Sequence, residues 1–198
     1  RKESPHDFAL WKIDEKHLMQ WDSPWGRGFP GWHIECSAMS YKYLGGTFDI
    51  HTGGEDNVFP HHECEIAQSV GAGVGEFARI WMHARHLLVD GRKMAKSEGT
   101  FFTIKDLIER GFQGYEIRYS LISNHYRQPM NFTLEGLEGE AKAVSRLRVL
   151  REKLETVADE DFGRDQELLE SLDSTRQAFD ACIDDDLNLS GALGVLHE

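Results

Sequence analysis

Between Gly31 and Ser69 the chain reads GWHIECSAM and then FDIHTGGEDNVFPHHECEIAQS, setting two cysteines, several histidines and several carboxylates around a glycine turn. Few folded arrangements accommodate such a stretch. Thiol, imidazole and carboxylate groups drawn into an interior need partners, and Zn²⁺ accepts all three donor types. His61 and Glu65 lie four residues apart, and an α-helix turning once every ~3.6 residues puts both on one face. Pro60 suits the first turn of that helix, where its missing N–H costs nothing. Cys36 is distant in sequence, so the fold has to bring it in from another element. Cys64 is a competing soft ligand on the same helix, although its proximity to Glu65 sets the two poorly for joint service. Three protein ligands leave a tetrahedral ion one position short, open to water, a substrate or a ligand from elsewhere. The plainer reading of the same residues is a buried cysteine beside a solvated histidine pair.

A second constellation is HLLVDGRKMAKSEGTFFTIKDLIERG. Its apolar run from Leu87 ends at Asp90-Gly91, a turn signal, and a loop carrying Lys93 and Lys96 follows. Thr103 reads as a helix cap and Gly111 as the stop. Two lysines on a loop of small residues suit a polyphosphate whose leaving group gains charge during nucleotidyl transfer. Taken alone, KxxK is equally a solvated basic loop.

In combination these segments resemble one family. GWHIECSAM, the HxGGxD turn, FPHHExEIAQS, WMH and the KMSKS-like KMAKS occur in the order and at the intervals of the cysteinyl-tRNA synthetases, a class I group. DFALWK, WDSPWG, IRYSLISNHYRQPMNF and DDDLN resemble it too. The resemblance covers nearly the whole chain. It implies α/β architecture: the C-terminal part of a class I Rossmann-type catalytic domain over residues 1–128, then the start of an α-helical bundle over 129–198 that contacts the tRNA stem. It implies a ligase that activates cysteine with ATP and Mg²⁺ and transfers it to tRNA(Cys).

By the same resemblance Cys36, His61 and Glu65 correspond to three of four zinc ligands, with one zinc per full-length chain selecting the substrate thiolate. Trp32 resembles the aromatic wall of the cysteine pocket. His51, Gly53, Gly54 and Asp56 resemble the segment holding the ribose and the adenylate. Lys93 and Lys96 resemble the lysines that stabilise the pyrophosphate. The fourth zinc ligand and the HIGH motif lie upstream in the family, so the chain reads as an internal fragment, inactive alone. Ala95 replaces the signature serine, Glu98 and Thr100 stand where leucine and asparagine are common, and Thr52 and Cys64 replace glycine and asparagine. Two alternatives share many of these residues: a mycothiol-pathway cysteine:amino-sugar ligase, and a non-catalytic zinc- and RNA-binding module.

Composition is compatible with this reading. No apolar run approaches the ~20 residues of a membrane span, and no signal-peptide pattern is present. Three widely spaced cysteines, Cys36, Cys64 and Cys182, make no disulfide framework, which points to the cytoplasm; a monomer is the expected state. The net charge of −12 is unevenly distributed: residues 79–151 carry 13 basic and 8 acidic side chains, and 152–198 carry 3 and 14. The basic section holds Arg110, Arg118, Arg127, Lys142, Arg146, Arg148 and Arg151, where contacts to ATP and tRNA phosphates are expected. FDIHTGG and HLLVD read as buried strands. LEGLEGEAKAVSRLRVLREKLETV and ELLESLDSTRQAFDACI read as helices around a loop near 158–165, and Asn188 or Ser190 caps a last one.

Overall fold

A βαβ unit carries the ligand-rich stretch, and the chain around it divides cleanly. The computed structural model describes residues 2–94, 100–156 and 166–198, and its contacts fall into two compact units, Arg1–Ala84 and Arg85–Glu198. Ala95, Lys96 and Glu98, and the loop expected near 158–165, lie outside the described residues.

The first unit opens with a short antiparallel ribbon, β1 (Trp11–Lys12) with β2 (Phe29–Pro30). Helix α1 (Trp32–Leu44) follows from Gly31. A Cβ on Gly31 would sit 2.1 Å from the Ala9 carbonyl oxygen, so only glycine lets the incoming segment pass. Strand β3 (Phe48–Gly54) then pairs in parallel with β4 (Ala78–Ala84). Their crossover contains the 3₁₀ turn Glu55–Asn57, a wide π-type turn Val58–His62, and helix α2 (Glu63–Gly71). The regular helix thus starts at Glu63, later than the Pro60 start expected from sequence. Phe59 is extended (φ −133°, ψ 132°), as a residue before proline is steered to be, so helical winding does not reach back past it, and the chain from Pro60 to His62 winds as the wider turn that leads into the regular helix.

Strand alternation explains what each face of β3 and β4 shows. In register, His51 lies beside Trp81 and Gly53 beside His83, while Ile50 lies beside Ile80. The first set faces the wide turn and α2. The second set is on the opposite face, where Ile50 and Ile80 are each 57% exposed. Within this chain FDIHTGG is therefore covered on one face, the one that carries His51 and Gly53.

In the second unit β5 (Leu87–Val89) and β6 (Arg92–Lys93) form an antiparallel hairpin, and β7 (Met130–Phe132) pairs in parallel with β5. Asp90 and Gly91 turn it with φ of 50° and 73°, the left-handed pair a tight hairpin demands. Thr103 and Asp106 form a reciprocal capping box on α3 (Ile104–Glu109), and Gly111 at φ 102° follows its end. Helix α4 (Gly114–Ser123) precedes β7. Thr133 Oγ1 accepts from the Gly136 amide at 2.9 Å, capping α5 (Leu134–Thr156). Helix α6 (Gln166–Asp184) leads to α7 (Leu189–His197), which Asn188 caps. Val89, Leu107, Ile117, Phe132 and Leu137 form the core. The sequence-based boundary at 128/129 falls inside this unit, because β7 bonds back to β5 and ties the helices after it to the hairpin before it. Among the described residues no helix is long and apolar enough to cross a membrane.

Candidate metal centre

Helix α1 turns a polar stripe toward α2. His33, Cys36, Ser37 and Ser40, at positions i, i+3, i+4 and i+7, are its half-buried polar residues. The matching stripe on the wide turn and α2 is His61, Glu65 and Gln68. Gln68 fastens the two: its amide nitrogen donates to Ser37 Oγ at 2.5 Å and to the His33 carbonyl at 3.0 Å, and its oxygen accepts from the Ile34 amide at 3.2 Å. The last bond satisfies one of the first-turn N–H groups that an α-helix leaves open.

This fastening brings Cys36, His61 and Glu65 together, with one ligand atom from each inside a mutual 4.8 Å. His61 Nε2 lies 3.5 Å from Glu65 Oε1. Glu65 is 0% exposed, and neither of its oxygens receives a directed hydrogen bond, although His51 Nε2 stands 3.0 Å from Oε2. Burial pushes this carboxyl up to about 7, with the Cys36 thiol pulling it part of the way back. Burial, then the Glu65 charge, raises the Cys36 thiol. A fully buried carboxylate whose neighbours are two imidazole nitrogens and a thiol is costly when ionised, and a cation among them removes that cost. The donor set of sulfur, imidazole and carboxylate fits Zn²⁺.

Around this triad sits a layer of rings. Trp32 stacks on His61 with centroids 4.2 Å apart and remains 58% exposed, so its free face is open to a ligand. His62 Nδ1 bonds His83 Nε2 at 2.8 Å. Burial, helped by His51 and His83, pushes His62 down to about 4. Burial likewise lowers His33, His51 and His61, keeping the imidazoles neutral as ligation requires. His51, His62 and Glu65 form a second cluster of candidate donors sharing the same carboxylate.

The other residues singled out from sequence are distributed as follows. Gly53 packs on His62: a Cβ there would lie 2.7 Å from the imidazole. Gly54 closes β3, and Asp56 is exposed on the 3₁₀ turn after it. Cys64 is buried but absent from the donor clusters; it lines a recess with Phe8, His33, Phe59 and Pro60. Lys93 ends β6 in the second unit with its side chain exposed, and Lys96 lies outside the described residues. Sequence reasoning about single residues missed His33, His62, Gln68, Trp81 and His83. Helical spacing from Cys36 and His61 was the available signal for His33 and Gln68; pairing with His83 required the strand register.

Residues 1–143 match the family model described as tRNA synthetases class I (C) catalytic domain. The chain is 48% identical over 198 residues to a cysteine–tRNA ligase of Brachyspira hyodysenteriae, covering 98% of this chain and 42% of that relative. It is 50% identical over 200 residues to one of Thermus thermophilus, covering 98% and 41%. It is 51% identical over 198 residues to one of Paracoccus denitrificans, covering 100% and 40%. The chain thus spans about two fifths of the length of the curated relatives it matches. Among solved structures it is similar to LeuRS of Agrobacterium radiobacter, determined in a ternary complex with tRNA and LeuAMS. That likeness has a TM-score of 0.62 at 16% identity, covering 90% of this chain and 28% of that one, and it speaks to the fold alone.

Proposed function

The chain belongs to the cysteinyl branch of the class I tRNA synthetases, and from that premise we infer that the protein carrying it is a cysteine–tRNA ligase. It activates L-cysteine with ATP and Mg²⁺ and transfers the cysteinyl group to tRNA(Cys). The observation that carries this reading is the Cys36–His61–Glu65 donor set, half-buried at the thiol and buried at the other two, with a fully buried carboxylate at its centre.

Serine differs from cysteine by one atom, and an apolar pocket separates such near-isosteres poorly. A zinc ion held by these three residues, together with the fourth ligand that the family carries upstream, would bind a thiolate far better than a neutral hydroxyl. The exposed flank of Trp32 walls the substrate beside that position. His51, Gly53, Gly54 and Asp56 are assigned to the ribose and adenylate side, where a carboxylate accepts hydroxyl protons. The cysteine carboxylate attacks the α-phosphorus of ATP and pyrophosphate leaves. Lys93 and Lys96 are assigned to the charge that grows on that leaving group. The 2′-hydroxyl of the terminal tRNA adenosine then attacks the cysteinyl carbonyl and AMP departs. No protein nucleophile takes part; positioning and charge stabilisation supply the rate.

We assign residues 1–128 to the catalytic domain and 129–198 to the helical tRNA-stem domain, with the protein a cytoplasmic monomer. Lys142, Arg146, Arg148 and Arg151 on α5 are exposed and are assigned to tRNA phosphates. The test is ATP–pyrophosphate exchange by the intact protein. Exchange that requires cysteine and is not supported by serine upholds the reading; equal exchange with both, or none, overturns it.

A further inference from the structure

His33 has no place in the donor set, yet its ring meets a member of it. His33 Nδ1 and His61 Nδ1 are 2.7 Å apart. Two imidazole nitrogens at that separation attract only when one carries a proton and the other offers a lone pair. The direction of this bond therefore fixes the tautomer of both rings. His61 turns Nε2 toward the cluster, where it lies 3.5 Å from Glu65 Oε1. If His33 donated, a neutral His61 would carry its proton on Nε2 and have no lone pair for a metal. Only the opposite direction leaves His61 competent: His61 Nδ1–H donates and His33 Nδ1 accepts.

His33 is held in place to do this. Its carbonyl accepts from Ser37 Oγ at 3.2 Å and from the Gln68 amide at 3.0 Å. The Phe8 ring meets it edge-on at 5.7 Å. Trp32 stacks on the face of His61, with planes 22° apart, so the His61 ring has little freedom to turn. A ligating histidine whose second nitrogen is tied to an acceptor keeps its ring aimed and its ligand nitrogen basic, and losing that partner costs ~10–100-fold in metal affinity.

We propose that His33 is a positioning residue for the metal centre, accepting the His61 Nδ1 proton and thereby fixing the tautomer in which His61 ligates zinc. This rests on the zinc reading above and adds to it a residue that touches neither metal nor substrate. The α1 stripe then has two duties: Cys36 binds, and His33, one turn earlier, aims the ligand on the facing element.

The experiment measures zinc affinity of the intact protein by competition with a chromophoric chelator, for the wild type, His33→Phe, His33→Ala and His33→Asn. Phenylalanine keeps the ring packing against Phe8 and Trp32 but has no acceptor. Asparagine places an amide oxygen near the Nδ1 position. The expected result is a loss of ~10–100-fold for His33→Phe and His33→Ala, with His33→Asn within a few-fold of wild type. In the cobalt-substituted protein the ligand-field bands shift in the Phe variant and return in the Asn variant. Wild-type affinity in His33→Phe would overturn the proposal, since packing alone would then suffice. Loss in all three variants alike would also overturn it. A wild type that binds no zinc would overturn the metal reading itself, an outcome distinct from both.

Discussion

Between residues 61 and 69 the first unit buries His61, His62, Glu65 and Ser69, whereas the second unit closes over Val89, Leu107, Ile117, Phe132 and Leu137. The second interior is ordinary apolar packing, with no cluster of titratable groups at its centre among the described residues. The first is a set of polar groups whose burial opposes folding until they are paired. One region is thus built as a scaffold and the other as a candidate binding site. A substitution that strengthens one region need not help the other.

The largest expected effect comes from the apolar side. Leu137 is 1% exposed among the core residues, so Leu137→Ala leaves a cavity costing about 2–5 kcal/mol. Chemical denaturation of the intact protein should show that loss with zinc affinity unchanged. If zinc affinity falls equally, the two regions are not separable.

Glycines give a sharper contrast, with opposite signs. Gly53→Ala drives a methyl against the His62 imidazole, 2.7 Å from the nearest ring atom, and overpacking of this kind costs about 1–3 kcal/mol. Gly139 lies within α5 with nothing in reach of an added Cβ. Gly139→Ala should therefore stabilise by about 0.5–1 kcal/mol through helix propensity. Thermal melts of the two variants should move in opposite directions; a shared direction would contradict the packing described.

The smallest effect concerns a surface clamp in the second unit. Asp186 accepts from Tyr126 Oη at 2.6 Å and from Arg127 Nη2 at 3.0 Å. Asp186 and Leu187 both have positive φ, 55° and 57°, so the clamp also holds a backbone turn that these residues rarely adopt. Arg127 and Tyr126 hold the carboxyl down at about 2, below the usual 3.8. A depressed carboxyl contributes stability above its unfolded pKa and loses it as pH falls through the folded one. The clamp's contribution is therefore complete above about pH 4 and lost on acidification toward pH 2. Asp186→Asn, which tolerates the same backbone, should lower the melting temperature modestly at pH 7 and flatten its dependence between those values. An unchanged pH profile would remove the clamp from the account.

Much of the local structure was legible in the sequence because it rests on short-range chemistry. Thr103 and Asn188 cap, Asp90-Gly91 turns, and the apolar spacing after Thr133 makes α5. What escaped depended on pairing at long range. The regular part of α2 starts at Glu63 because the residues before it wind as a wider turn, which the residue types around Pro60 do not announce. Gly53 was assigned to nucleotide approach, yet the structure gives it a second reason, the His62 ring against its backbone. The His62–His83 and His33–His61 contacts join residues 21 and 28 positions apart, so only the fold makes them neighbours.

The most direct measurement is cobalt substitution of the metal-free intact protein, followed by titration with L-cysteine and with L-serine. The expected result is a thiolate-to-cobalt charge-transfer band from Cys36 that intensifies on adding cysteine and stays unchanged with serine. A spectrum indifferent to cysteine, or one with no thiolate band at all, would contradict a metal centre at Cys36, His61 and Glu65 that reads the substrate thiol.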